Sequence, residues 1–145
     1  MKIYTRKGDD GTTGLLFGGR TEKDSAAIEL NGNVDEAQAA LGWARSLQPR
    51  DGELNQVIAE LERDLWILMA EVATASENRP KLEGNRTLVT QEMVDGLEER
   101  IDFWSSQVVM PTEFVVPGEN QASAALDVAR TVIRRAERVA VTWIS

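Results

Sequence analysis

The chain has 145 residues, enough for one domain with a core of its own. Its 16 Lys and Arg stand against 24 Asp and Glu, a formal net charge of −8 that argues against a generic nucleic-acid binder, which needs positive surface to release phosphate counterions. With no Cys and no His, disulfides, thiol nucleophiles, Cys/His zinc sites and Ser-His-Asp triads are excluded, so any metal is a hard, oxygen-bound ion such as the Mg²⁺ that accompanies phosphates.

The first residues, Met1 to Gly8, lack the apolar stretch of a signal peptide. The longest apolar run, Leu65 to Ala70, falls far short of the ~20 residues that span a bilayer. The expectation is one cytoplasmic domain, residues 1–145, without a membrane segment. From Lys2 to Arg20 the chain is crowded with Gly8, Gly11, Gly14, Gly18 and Gly19, interleaved with Thr5, Thr12 and Thr13. Helix cannot survive that glycine density, which predicts an ordered loop with short extended pieces.

A first helix starts at Asp24 or Ser25, both good N-caps, and runs to about Leu47. Ile28, Val34, Ala37, Leu41 and Ala44 form its stripe, and Pro49 and Gly52 end it. The second helix spans about Gly52 to Ser76. Leu54, Val57, Ile58, Leu61, Leu65, Leu68, Met69 and Val72 recur at three and four, and Trp66 and Ile67 predict burial on more than one side. Glu77 to Arg86, with Pro80 and Gly84, reads as a loop. Thr90 opens a third helix on Val94, Leu97, Ile101, Trp104 and Val108; Pro111 and Pro117 then bracket an extended piece, Thr112 to Val116. A fourth helix begins between Gly118 and Gln121 and continues to the chain end, with Ala122, Leu126, Ala129, Ile133, Ala136, Ala140 and Trp143 facing the core. The fold class is therefore all-α, an antiparallel four-helix bundle with a Gly/Thr-rich N-terminal loop.

Four places carry chemistry. In the N-terminal loop, glycines free backbone N–H groups to point at an anion, threonines add hydroxyls, and Lys7, Arg20 and Lys23 supply charge; a turn-rich arm is the plainer alternative. Gly14 to Thr21 approximates a P-loop with Arg20 in place of Lys, but neither a buried strand before it nor a helix immediately after it is in the pattern. On the fourth helix, Arg130, Arg134, Glu137 and Arg138 share one face, either as an anion site or as a face paired to Asp35, Glu36 or Glu29. Asp35 lies on or near the first helix's core stripe and needs a partner, for which Arg130 is a candidate; a bundle-locking ion pair is the structural alternative. Phe114, in a loop between prolines, either plugs a core edge or walls an apolar pocket.

Taken together, these segments resemble the PduO-type ATP:cob(I)alamin adenosyltransferases. The matching pieces are Thr5-Arg-Lys-Gly-Asp-Asp-Gly-Thr-Thr-Gly-Leu15, Phe17-Gly-Gly-Arg20, Lys23-Asp24, Gly32-Asn-Val-Asp-Glu36, Leu41-Gly42, Phe114-Val-Val-Pro-Gly118 and Ala129-Arg-Thr-Val-Ile-Arg-Arg-Ala-Glu-Arg138. The resemblance implies a homotrimer with active sites between subunits, and transfer of the 5′-deoxyadenosyl group of MgATP to the cobalt of cob(I)alamin with release of triphosphate. It implies that Thr5, Lys7, Gly8, Asp9, Thr12, Thr13 and Lys23 wrap the ATP, with Mg²⁺ carried by the phosphates. Arg134 and Glu137 of the adjacent subunit contact the nucleotide, Arg130 and Asp35 pair across the interface, and Phe114 occupies the lower face of the corrin. The cobalt itself is the nucleophile in such a reaction, so the lack of Cys and His is no obstacle.

The chain departs from the family in three places. Asn31-Gly-Asn33 stands where Tyr-Gly-Thr is usual, and Ala37-Gln38 stands where Leu-Asn is usual. The chain stops at Ser145, where the family continues into an Asn-containing fifth helix that helps bind ATP. The expectation is a domain lacking that helix, with apolar surface on Trp143 and the second helix bare unless another subunit covers it. Two alternatives stand beside the enzyme: a non-catalytic ATP- or corrinoid-binding carrier with an incomplete site, and a plain bundle used for assembly.

Overall fold

The computed structural model describes residues 3–144; Lys2, where the predicted loop begins, and Ser145, where the predicted fourth helix ends, lie outside them. In chain order the elements are β1 (Thr12–Gly14), β2 (Arg20–Glu22), α1 (Ala26–Ser46), α2 (Glu53–Val72), a 3₁₀ turn (Ser76–Lys81), α3 (Gln91–Ser106) and α4 (Gln121–Ile144). The helical bundle is as expected, and the extended pieces of the N-terminal loop form an antiparallel hairpin in register Thr12↔Glu22, Thr13↔Thr21, Gly14↔Arg20. Its turn needs left-handed backbone, and Gly18 and Gly19 supply it at φ 103° and 92°. The P-loop-like stretch is thus the tip of this hairpin, without a helix on its heels.

The hairpin tip fixes where α2 stops. The expected end was Ser76, yet α2 ends at Val72, because Leu16 N–H donates to the Ala73 carbonyl at 2.8 Å and Leu16 bridges Thr74 in parallel. The Thr74 hydroxyl closes the last turn on the Ala70 carbonyl at 2.8 Å. The polar stretch that follows, expected as loop, holds the 3₁₀ turn around Pro80.

Two apolar clusters hold α1 between α2 and α4. Leu30, Val34, Val72 and Ala136 form one, against Leu65, Leu68, Met69, Val139, Ala140 and Trp143. Leu41, Ile58 and Ala129 form the other, against Leu54, Leu61 and Leu126. Both pairings run α1 antiparallel to its neighbours. Fully burying a side chain such as Leu30 or Ile58 contributes about 1.5–3 kcal/mol.

The α4 stripe is as expected at Leu126, Ala129, Ala136, Ala140 and Trp143 and departs from expectation at Ile133, whose place is taken by Val132. Ala125, Ala129, Val132 and Ala136 are buried, and Ile133 is 39% exposed. Small alanines let α4 lie close to α1, and Val132 is the branched side chain that fits. Trp143, expected on the core face, packs half-buried on the Leu30 cluster.

The third helix is peripheral. None of its residues is buried, and it is tied to α2 by Arg100–Glu60 at 2.5 Å and by Val89 N–H on Glu71 at 2.9 Å. Of the two residues that predict burial of α2 on more than one side, Ile67 is half-buried beside Met93 and Leu97 of α3, whereas Trp66 is 60% exposed. No helix among the described residues is long and apolar enough to cross a membrane.

Candidate active site

The N-terminal loop is built around its own charges. Asp10 accepts from the Thr12 amide at 3.0 Å and from the Thr12 hydroxyl at 2.8 Å. Arg20 donates from Nε to the Thr12 hydroxyl at 2.8 Å and from Nη2 to the Lys7 carbonyl at 2.6 Å. The Lys23 ammonium donates to the Gly8 carbonyl at 2.6 Å. The Thr12 amide and hydroxyl hold the Asp10 carboxyl below its ordinary value of 3.8, with the Arg20 charge adding to them. Gly8 sits in a tight place: a Cβ there would stand 3.0 Å from the Thr12 carbonyl oxygen and 3.1 Å from the end of the Lys23 side chain, so either would have to give by a few tenths of an ångström. Thr13 is half-buried in the hairpin, while Thr5, Lys7 and Asp9 are exposed on the outer bend. The whole loop is fastened to the end of α2 through Leu16 and through Asn78, whose amide donates to the Gly18 carbonyl at 3.3 Å.

The arginine face of α4 is open. Arg134 pairs with Glu137 at 2.5 Å, with the two side chains 62% and 52% exposed. Arg130 pairs with Asp127 at 2.9 Å, and Arg138 donates to the Arg134 carbonyl at 2.9 Å. Arg130 also borders a cavity of about 320 Å³ with Val115, Val116, Pro117 and Gly118, which brings it beside the segment that carries Phe114. Phe114 itself is fully exposed and plugs no edge of this chain's core.

Asp35 is corrected by the structure. It is exposed, off the core stripe, because Val34 and Ala37 take the buried positions and residue 35 lies about 100° round the helix from Val34. It opens onto a cavity of about 420 Å³ with Gln38, Arg45, Glu62 and Trp66, between α1 and α2. Among the described residues no ion pair or hydrogen bond joins it to Arg130, which pairs with Asp127. The polar link between α1 and α4 is instead made by Glu36, one of the three carboxylates expected to pair with the arginine face, and by Asn33, but through Arg135, which was not among the arginines assigned to that face. Arg135 pairs with Glu36 and donates from Nε to Asn33 Oδ1 at 3.1 Å. Asn33, only 8% exposed, stands next to Val34 in the core stripe, and a polar residue so placed must find partners.

These parts can do specific chemistry. The loop offers a bend held by its own hydrogen bonds with Lys7 exposed on it, and α4 offers guanidiniums in exposed ion pairs. Among the described residues, no hydrogen bond or ion pair joins the loop to Arg130, Arg134 or Glu137. Within one chain the loop and the arginine face of α4 are thus two separate charged features.

Comparison with known proteins converges on one family. The cobalamin adenosyltransferase family model matches residues 3–145. A corrinoid adenosyltransferase of Citrobacter freundii is 39% identical over 140 residues, covering 97% of this chain and 77% of that protein. One from Mycobacterium tuberculosis is 40% identical over 139 residues, covering 96% and 71%. Among solved structures, a phenylalanine-to-histidine variant of the PduO-type ATP:corrinoid adenosyltransferase from Lactobacillus reuteri, complexed with cobalamin and ATP, superposes with a TM-score of 0.85 at 29% identity, covering 99% of this chain and 76% of that one. An arginine-to-lysine variant of the enzyme, complexed with ATP, gives 0.83 at 29% identity, covering 98% and 78%. By fold, by motif order and by match over nearly its whole length, the chain belongs to the cobalamin adenosyltransferase family.

Proposed function

We propose that this protein transfers the 5′-deoxyadenosyl group of MgATP to the cobalt of cob(I)alamin, giving adenosylcobalamin and triphosphate. The observation that carries the proposal is the pair of charged features, a prebuilt glycine-threonine loop and an open arginine face, in a member of a family whose solved relatives hold cobalamin and ATP.

In this reading Thr5, Lys7, Gly8, Asp9, Thr12, Thr13 and Lys23 wrap the nucleotide, and Arg134 and Glu137 of a neighbouring subunit contact it from the other side. Reduced cobalt donates its electron pair to C5′, the C5′–O bond breaks, and triphosphate leaves with that bond's electrons. Cationic donors aimed at the leaving oxygens stabilise the charge as it grows, and Mg²⁺ on the phosphates adds to them. Holding cobalt and C5′ in line supplies much of the remaining acceleration. Phe114 covers the lower face of the corrin, keeping an axial donor away and so making the cob(II)alamin precursor easier to reduce.

The same proposal includes a cytoplasmic homotrimer in which Arg130 of one subunit meets Asp35 of the next. Exposed Asp35 beside exposed Trp66, and the separation of the two charged features within one chain, support it. The test is an anaerobic reaction with MgATP and chemically reduced cob(I)alamin, following triphosphate by phosphorus NMR together with the corrin spectrum, and the mass by sedimentation. Stoichiometric triphosphate with adenosylcobalamin is expected from a particle of three chains. ATP binding without turnover would leave a non-catalytic nucleotide carrier, and neither binding nor turnover would leave only a bundle.

A further inference from the structure

We infer that Asn33 is a positioning residue for the nucleotide half-site, acting through Arg135 to set the rotation of α4 and so the direction in which Arg134 points. The inference rests on the reading of Arg134 as a nucleotide contact. Its starting point is the packing of α4. Three of the four buried side chains there, Ala125, Ala129 and Ala136, are alanines. The larger α4 side chains that pack on the bundle, Leu126, Val139 and Trp143, are only partly buried, so the alanines between them set a close approach and leave room for a polar contact to fix the rotation.

The polar pin beside those alanines supplies that contact. Asn33 is 8% exposed, and its Nδ2 donates to the Glu29 carbonyl at 2.9 Å and to Glu29 Oε1 at 3.0 Å. Its Oδ1 accepts from Arg135 Nε at 3.1 Å. The amide orientation follows from the partners, since a guanidinium can only donate and the Glu29 oxygens can only accept. Arg135 is gripped a second time by Glu36. One guanidinium is thus held by two α1 side chains, one of them buried. The next residue back along α4 is Arg134, about 100° round the axis and 1.5 Å along it. Fixing residue 135 against α1 therefore fixes the azimuth of residue 134. A buried polar contact that selects one register among several apolar ones is a recognised use of such groups.

The experiment compares Asn33→Leu, Asn33→Thr and Asn55→Leu by calorimetric titration with MgATP, steady-state kinetics and thermal unfolding. Asn55 also links two helices, donating to the Arg45 carbonyl at 3.2 Å, but at the far end of α1, and serves as the matched structural control. Asn33→Leu should weaken ATP binding on the order of tenfold and leave the KM for the corrinoid unmoved. Asn33→Thr, whose hydroxyl accepts from Arg135 and donates to the Glu29 carbonyl, should recover most of the affinity. Asn55→Leu should lower the unfolding temperature without touching ATP affinity. In an Arg134→Ala background the further loss from Asn33→Leu should vanish, because its route is gone. An Asn33→Leu protein that behaves like Asn55→Leu, or losses that multiply in the double variant, would overturn the inference while leaving the role of Arg134 intact. If Arg134→Ala alone binds ATP normally, the nucleotide reading of α4 fails and this inference falls with it.

Discussion

In the N-terminal loop, Arg20 and Lys23 turn their charges inward, onto the carbonyls of Lys7 and Gly8 and the hydroxyl of Thr12. On α4, Arg130 and Arg134 turn outward and meet carboxylates of their own helix, Asp127 and Glu137. The difference lies in what a phosphate would have to displace. An exposed ion pair within one helix contributes about 0.3–0.5 kcal/mol, so a ligand can take Arg134 at little cost. Taking Arg20 from its carbonyl would unpick the bend itself. The loop thus spends Arg20 and Lys23 on shape, and the helix keeps Arg130 and Arg134 available for charge.

The sharpest test of that division is Arg134→Ala. Transfer should fall on the order of a hundredfold or more, as for loss of a donor to a developing anion, while folding stability stays within about 0.5 kcal/mol. Unchanged triphosphate release and ATP affinity would break the comparison at once. Arg20→Ala should differ in kind. ATP affinity should drop about tenfold, the scale of one charge-assisted hydrogen bond, and the Thr12 and Lys23 amides should exchange faster with solvent. An equal loss of affinity with loop exchange unmoved would erase the distinction between shape and charge.

Phe114→Ala probes a region that takes neither part. Because the ring touches no core of its own chain, unfolding temperature should not change. Use of cob(II)alamin under reduction should suffer more than use of preformed cob(I)alamin; equal loss with both would remove Phe114 from the lower face. The smallest effect concerns acidity. Asp10 is more acidic in the folded loop than its ordinary 3.8, so its contribution to loop order is complete above that value and is lost as pH falls through the lowered midpoint. A carboxyl titration by NMR should place Asp10 below 3.8, moving back up in Thr12→Val; a midpoint at or above the ordinary value would mean that the Thr12 bonds are not made in solution.

Much of this architecture is legible in the sequence because it is local. Ser25 and Thr90 stand at the N-caps of α1 and α3, the positions that the sequence assigns them, although neither side chain bonds a first-turn amide, and Pro49 and Gly52 separate α1 from α2. What escaped is set by tertiary contact. No pattern within α2 announces that Leu16 will capture the Ala73 carbonyl and end the helix at Val72. Periodicity also fails at the resolution of one residue. It places Ile133 inward where Val132 goes, and it puts Asp35 near the core when the buried polar residue of that turn is Asn33. For the site, motif and residue type mark the loop and the arginine face, but which arginine serves the fold and which faces outward depends on the rotation of α4. Arg134 and Arg135 are neighbours in sequence with the same chemistry, and only packing separates them.

The fastening of the hairpin to α2 has a consequence for how this sequence can drift. The Leu16 amide and the Ala73 carbonyl are peptide groups, so the link does not depend on the identity of either side chain. Neutral replacements can accumulate at both ends without loosening the loop. Proline at position 16 is a different matter, since it deletes the N–H, and so is any insertion that lengthens the tip and slides residue 16 out of line. Divergent homologues should therefore conserve the spacing of this strap more strictly than its spelling.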